Sequence, residues 1–246
     1  MSESGLSIER ASGIATLTFD HPPVNLLTVE LFLATAAAVE ELAADDEVRV
    51  VVLRSADPDF FIAHFDVEAI LQMPADAPPP TELNRFHRMC EGLRTMPKPT
   101  IAVIEGRVGG GGSELALGCD MRFAALPSGE HPGARFSQPE VALGILPGGS
   151  GTVRLPRLIG RGRALEVILG CDDVDARTAE AWGWVNRALP AEELWPFVDR
   201  LAARIASFPA HAVAAAKASV VQAENGVTEH LLAEGNTFNA TLGEPD

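Results

Sequence analysis

The stretch VGGGGSELALGCD, Val108 to Asp120, decides how this chain is read. Four consecutive glycines, Gly109 to Gly112, run straight into a serine, a glutamate and an apolar segment that reads as the start of a buried helix. Glycine carries a backbone-entropy penalty and weakens helix interiors, so four of them ahead of a helix mark a place where the backbone comes close to something. The helix is expected over Glu114 to Cys119. That placement puts the Glu114 carboxylate in the first turn, where the helix dipole stabilises it by about 0.3–1 kcal/mol.

Three chemistries use such a run. A nucleotide-triphosphate loop needs GxxxxGK[ST], and no lysine follows these glycines. A dinucleotide fingerprint wants GxGxxG after a strand; Gly109 and Gly111 fit the first pair, but Glu114 holds the third place and would set a carboxylate against a pyrophosphate. The remaining chemistry is an oxyanion hole, bare amides at a helix N-terminus aimed at a carbonyl oxygen that gains charge. From this stretch alone a simple N-terminal charge at Glu114 explains the pattern equally well.

Working outward, LSIER and IATLTF read as two short strands around Ser12-Gly13, and HPPVN breaks the chain before a helix from about Val29 to Leu42. VRVVVLRS (48–55) and TIAVIEG (100–106) are buried strands by their β-branched content, with a proline-rich loop (73–80) and a helix around Glu82 to Leu93 between them. MRFAA is a further strand, followed by the polar excursion LPSGEHPGA. Beyond PGGSG (147–151) helices are expected near 151–169, 175–182, 191–206, 209–223 and 227–240. Strands alternating with helices come first and helices come last.

The bulk composition narrows the function. The 246 residues are 47% apolar, enough for a substantial core, and the net charge of −15 argues against nucleic acid as a partner. No apolar run approaches the roughly 20 residues of a membrane span, and MSESGLSIER lacks the order of a secretory signal, so a soluble, cytoplasmic chain with no membrane partner is expected. Cys90, Cys119 and Cys171 are odd in number and contain no CxxC, which favours reduced, mostly buried thiols over disulfides or zinc. The histidines His21, His87, His131, His211 and His230 show no metal-ligand spacing and are expected at the surface or as caps; no metal is expected. Ser113 and Ser150 neighbour glycines without forming GxSxG, so a serine nucleophile is not supported. The chain has only two lysines, Lys98 and Lys217, which leaves any anionic cofactor to arginines or to backbone amides.

Two further stretches join the glycine run: FFIAHFDVEAI, Phe60 to Ile70, and FSQPEVALGILPGGSG, Phe136 to Gly151. In order and spacing the three resemble the motifs of the crotonase superfamily, the enoyl-CoA hydratase/isomerase family: F-x-A-G-x-D, G-x-x-x-G-G-G-x-E-L-A-x-x-C-D and F-x-x-P-E-x-x-x-G-x-x-P-G-x-G-G. The resemblance runs from about Leu6 to Thr241. It implies an α/β crotonase (ClpP-like) fold, a spiral of ββα repeats over residues 1–190 with the active site, followed by a helical C-terminal region, 191–246, in the same structural unit and used for oligomerisation as a homotrimer or dimer of trimers.

The resemblance also implies site residues. The backbone N–H groups of Phe65 and Gly111 would form the oxyanion hole for a thioester carbonyl, and Glu114 and Glu140 fall where enoyl-CoA hydratases carry their catalytic pair. Val24, Leu26, Ala63, Asp66, Val67 and Gly110 would contact the coenzyme A thioester, with Gly148 near the reacting acyl carbons. No permanently bound cofactor is implied, since coenzyme A arrives as part of the acyl-CoA substrate. Hydration of a 2-enoyl-CoA suits two carboxyl groups, because it needs one proton taken from water and another delivered to the α-carbon. Isomerase, retro-aldol lyase or decarboxylase chemistry and non-catalytic acyl-CoA binding stand as alternatives.

Two departures stand out. His64 occupies a glycine position beside the proposed oxyanion donor, where it would strain the loop if φ is positive or could modulate the site by its own titration. Glu68 stands where relatives can carry a lysine for the nucleotide phosphates.

Overall fold

A computed structural model describes residues 4–74, 80–224 and 226–241. The proline-rich loop expected over 73–80 lies mostly outside them. In chain order the elements are β1 (Leu6–Ala11), β2 (Ile14–Phe19), α1 (Val29–Ala44), β3 (Val50–Ser55), β4 (Phe60–Ile62), α2 (Val67–Leu71), α3 (Arg85–Thr95), β5 (Thr100–Ile104), β6 (Arg107–Gly109), α4 (Gly110–Gly118), β7 (Met121–Ala125) and β8 (Arg135–Ser137). A 3₁₀ turn (Glu140–Leu143) leads to α5 (Gly151–Ile159), α6 (Arg161–Gly170), β9 (Val174–Asp175), α7 (Ala176–Trp182), β10 (Arg187–Leu189), α8 (Ala191–Ala206), α9 (Ala210–Gln222) and α10 (Val227–Thr241).

Two sheets carry the spiral. The larger runs β1-β2-β3-β5-β7-β10 and the smaller β4-β6-β8-β9. Among the described strands the β1/β2 hairpin and the β8/β9 pair are antiparallel and the others pair parallel, as successive right-handed turns require. A parallel sheet is covered on both faces, which is why β3 and β5 are near-continuous runs of Val, Leu and Ile. Their alternate residues enter different cores: Val51, Leu53, Ala102 and Ile104 join the main cluster, while Val50, Val52, Ile101 and Val103 meet Leu194, Val198 and Ala202 of α8. Leu194, Val198 and Ala202 recur at a four-residue spacing, the stripe a helix needs to lie on a sheet. The region from 191 onward therefore begins by capping the large sheet.

The helix starts follow local chemistry. Thr28 caps α1 by accepting from the Leu31 amide (3.2 Å), and Asn84 caps α3 by accepting from the His87 amide (2.7 Å). The long helix expected over 151–169 is divided into α5 and α6 at Gly160, whose φ of +83° an L-residue rarely adopts. By contrast α9 buries none of its residues. It is tied down through Lys217, which reaches Asp120 (2.8 Å) and the carbonyls of Leu93 and Lys98.

The glycine run differs from its sequence reading in a way that matters. The helix begins at Gly110, so Glu114 lies in its second turn and the dipole argument for a first-turn carboxylate does not apply. What the glycines approach is the segment after β4. A Cβ on Gly109 would stand 2.7 Å from the Ala63 carbonyl oxygen, and one on Gly112 would stand 2.5 Å from that of Ile62. Real Cβ atoms do not come that close, so packing against β4 overrides the poor helix propensity of three successive glycines. No helix among the described residues is long and apolar enough to cross a membrane.

Candidate active site

The two glutamates of the motifs meet at one cavity of about 320 Å³. Glu114 comes from α4 and Glu140 from the 3₁₀ turn, and they are 4% and 8% exposed. The Glu114 Oε1 accepts the backbone N–H groups of Gly149 (2.8 Å) and Gly151 (2.7 Å), so its carboxyl is oriented by the loop of the third motif. That loop has to be glycine there: a Cβ on Gly149 would stand 2.5 Å from the Glu114 Oε2. Between the two sits Ser150, fully buried at φ +116°, a strained conformation for a residue with a side chain. Neither oxygen of Glu140 has a hydrogen-bond partner among the described residues.

Burial sets the protonation of both. It pushes the Glu140 carboxyl up to about 7, and the nearby Glu234 carboxylate adds to the rise. Burial also raises Glu114 well above the usual carboxylate range, reinforced by the charges of Glu140 and Glu234 and opposed by the two amide bonds. Groups this close titrate as a pair. The charge of Glu140 adds to the cost of ionising Glu114, so burial and coupling both favour the protonated form there.

The protonation has a stability consequence with a definite sign. Between about pH 4.5 and 7 the folded protein keeps a proton on Glu140 that the unfolded chain has released, so stability falls as pH rises through that window. Glu140→Gln removes this dependence. Thermal melts should show the variant gaining on wild type from pH 5 to pH 8; an equal difference at both values would contradict the raised Glu140.

Two amides border the same space. Leu27 and Phe65 form a parallel bridge in which the Leu27 N–H donates to His64 O (3.0 Å) and the Asp66 N–H donates to Leu27 O (3.1 Å). Those bonds use the groups flanking Phe65, so the Phe65 N–H faces the other way, towards Gly111. A Cβ on Gly111 would stand 3.6 Å from the Phe65 nitrogen. Gly111 is the second residue of α4, and its N–H is one of the four donors that a helix start leaves without an intrahelical acceptor.

The other motif residues are spread along this edge. Gly148 and Gly111 line the cavity with the glutamates. Gly110, at φ +47°, lies between Glu140 and His64: a Cβ there would be 3.2 Å from the Glu140 Oε1 and 3.7 Å from the His64 Cβ. Val24, Leu26, Ala63, Asp66 and Val67 do not border the cavity. They follow the β4 segment beside it, where Ala63 N–H donates to Val24 O (3.3 Å) and Asp66 caps α2 through the amides of Glu68 and Ala69. The strain foreseen for His64 does not arise, because its φ is not positive; its Nδ1 lies 2.8 Å from the Phe65 carbonyl oxygen.

Several residues of the site carry no motif. Phe32 of α1 and Phe86 of α3 join Phe65 of the first motif in a wall of three rings with centroids 5.6–6.2 Å apart, and Phe238 of α10 also lines the cavity. His87, expected at the surface or as a cap, is instead 1% exposed, with Nε2 3.2 Å from the Glu234 Oε2. The Thr152 hydroxyl donates to the other oxygen of Glu234. Asn25 is a second unforeseen residue. Fully buried at φ +49°, it accepts from the His21 amide and places its Nδ2 3.2 Å from the carbonyls of Phe60 and Phe61, tying the Pro22–Leu27 stretch to β4.

The sequence and the fold resemble those of known proteins. A crotonyl-CoA hydratase of Syntrophomonas wolfei is 31% identical over 252 residues, covering 100% of this chain and 93% of its own length. Among solved structures, a candidate enoyl-CoA hydratase of Streptomyces avermitilis matches at 39% identity with a TM-score of 0.87, covering 99% of this chain and 88% of that one. The enoyl-CoA hydratase of Mycobacterium tuberculosis H37Rv matches at 31% identity with a TM-score of 0.81, covering 98% of this chain and 100% of that one. The spiral with its helical C-terminal region is thus the crotonase fold. With the enoyl-CoA hydratase/isomerase family model matching residues 9–245, the chain belongs to that family.

Proposed function

We propose that the chain hydrates a 2-enoyl-CoA thioester. The observation that carries this reading is the pair of buried carboxyl groups, Glu114 and Glu140, both raised above the usual carboxylate range and facing one cavity beside the Phe65 and Gly111 amides. Water held between the carboxyl groups gives one proton to the ionised member while its oxygen bonds to the β-carbon. The electron pair of the double bond shifts towards the thioester oxygen, where the two amides stabilise the negative charge, and the protonated member then delivers a proton to the α-carbon. Water is added across the double bond and nothing else is consumed.

The coenzyme A arm would leave along Val24, Leu26, Ala63, Asp66, Val67 and Gly110, the edge beside β4. It is the substrate's own handle, and the chemistry calls on no other cofactor. The reading is supported by the hydratase names of full-length relatives. It is tested by mixing the protein with crotonyl-CoA: absorbance of the conjugated thioester should fall and the product mass should rise by one water. A product of unchanged mass would make the protein an isomerase instead.

Assembly belongs to the same reading. No residue of the α9 helix is fully buried, and Phe208 and Val220 beside and on it are 43% and 71% exposed. Apolar surface of this kind suits a subunit contact, and a homotrimer or a dimer of trimers is the assembly proposed. Sedimentation at micromolar concentration should give at least three times the 26.0 kDa chain mass. A monomeric mass would remove this part of the reading.

A further inference from the structure

A third buried carboxyl group, which the proposed reaction does not use, lies near the catalytic pair. Glu234 of α10 is 5% exposed and both of its oxygens are engaged: the Thr152 hydroxyl donates to one, and the His87 Nε2 lies 3.2 Å from the other. Glu234 therefore ties α10 to α3 and to the second residue of α5. Apolar side chains of similar size would dock α10 at least as well, because the cost of taking paired polar groups out of water offsets what their pairing returns. A polar contact here points to a role beyond adhesion.

The neighbours of its partners indicate that role. Thr152 directly follows Gly151, whose N–H donates to the Glu114 Oε1 at 2.7 Å, and Gly149 donates to the same oxygen at 2.8 Å. The segment from Gly149 to Thr152 is thus held from two sides, by Glu114 through backbone amides and by Glu234 through a hydroxyl. Ser150 in its middle stands at φ +116°, a conformation that persists only where the surroundings enforce it. His87 sits equally close to the site, as the residue after Phe86, whose ring lines the cavity. Charge supplies a second link, since Glu234 adds to the rise that burial produces in both Glu114 and Glu140. The other titratable or charged groups around Glu234 are His87 of α3 and, bordering a surface pocket with it, Arg157 of α5 and His230 of its own helix.

We propose that Glu234 is a positioning residue for the catalytic pair: by holding Thr152 and His87 it fixes the loop that orients Glu114, and its charge stands behind both carboxyl groups. The inference rests on the hydratase reading for the reaction assayed, but not for the protonation it predicts.

The test uses the full chain. Glu234→Gln keeps the shape of the side chain and can still bond Thr152 and His87, while its charge is gone. Glu114 and Glu140 should then ionise at lower pH, and the kcat profile for crotonyl-CoA hydration should move down by about 0.5 pH unit or more. The protonated-carboxyl infrared band that is lost in Glu140→Gln should disappear at correspondingly lower pH, a readout that needs no turnover. Thr152→Val keeps the charge and removes the hydroxyl; kcat should fall about tenfold with KM within about twofold of wild type, and Thr152→Ser should restore it. An unmoved infrared band in a folded Glu234→Gln overturns the inference, as does a Thr152→Val whose loss lies in KM or is not rescued by serine. If Glu234→Gln does not fold, the Thr152 pair decides. A wild-type protein that adds no water to crotonyl-CoA would sink the hydratase reading, and the infrared band would then decide this inference alone.

Discussion

Glu114→Gln and Glu140→Gln are each expected to lower kcat for enoyl-CoA hydration by about 10²–10⁴-fold, with little change in affinity for a saturated acyl-CoA. The amide keeps the shape of the carboxyl group while removing its proton chemistry. At position 114 the side-chain carbonyl oxygen can still accept the Gly149 and Gly151 amides, so the loop should stay in place and the loss should report proton transfer. At position 140 the carboxyl oxygens have no protein partner among the described residues, so no hydrogen bond within the protein is broken. The double variant should be far less than multiplicatively worse, because two groups acting on one water behave as a unit. Steady-state kinetics across pH 5–9 check all three. Loss of activity on Glu114→Gln with none on Glu140→Gln points to one-base double-bond isomerisation. Full activity in both would leave the carboxyl groups structural.

What the sequence revealed depended on element length and on distance along the chain. β3, β5 and β7 are legible because five or six residues of β-branched and apolar character suffice to mark a strand. The smaller sheet is not legible in the sequence: β4, β6 and β8 have three residues each and β9 has two, too few to show a period of 2. They exist because pairing with neighbouring strands completes them, parallel for β4, β6 and β8 and antiparallel for β9. Glu114 and Glu140 were legible through their motifs, but the aromatic wall was not. Phe32 and Phe86 look like ordinary core residues of α1 and α3, and nothing local to Phe238 says that α10 returns to a loop about ninety residues earlier. The burial of His87 is hidden for the same reason, since its partner Glu234 lies 147 positions away.

Gly112→Ala is expected to destabilise the protein by about 1–3 kcal/mol and to lower kcat by about 10²-fold, and it tests what the glycine run is for. The new Cβ would stand 2.5 Å from Ile62 O and 2.6 Å from Ile62 Cβ, and Ile62 is fully buried in β4, so neither neighbour can turn away. The clash is relieved only by separating α4 from the β4 segment, by roughly 1 Å if the contact is to reach an ordinary van der Waals distance. The Gly111 amide rides on α4 and the Phe65 amide on the segment after β4. That separation pulls apart the two donors proposed to share the thioester oxygen, and losing one such donor lowers kcat by about 10²–10³-fold in enzymes of this kind. Gly118→Ala is the control, because its Cβ would crowd Cys90 at 3.1–3.2 Å from the opposite end of α4. It should lower the melting temperature while leaving kcat close to wild type. Thermal melts and single-turnover rates on the folded variants separate the two effects. If Gly118→Ala reduces kcat as far as Gly112→Ala does, the glycines serve the stability of α4 alone and the two-amide account of the site fails.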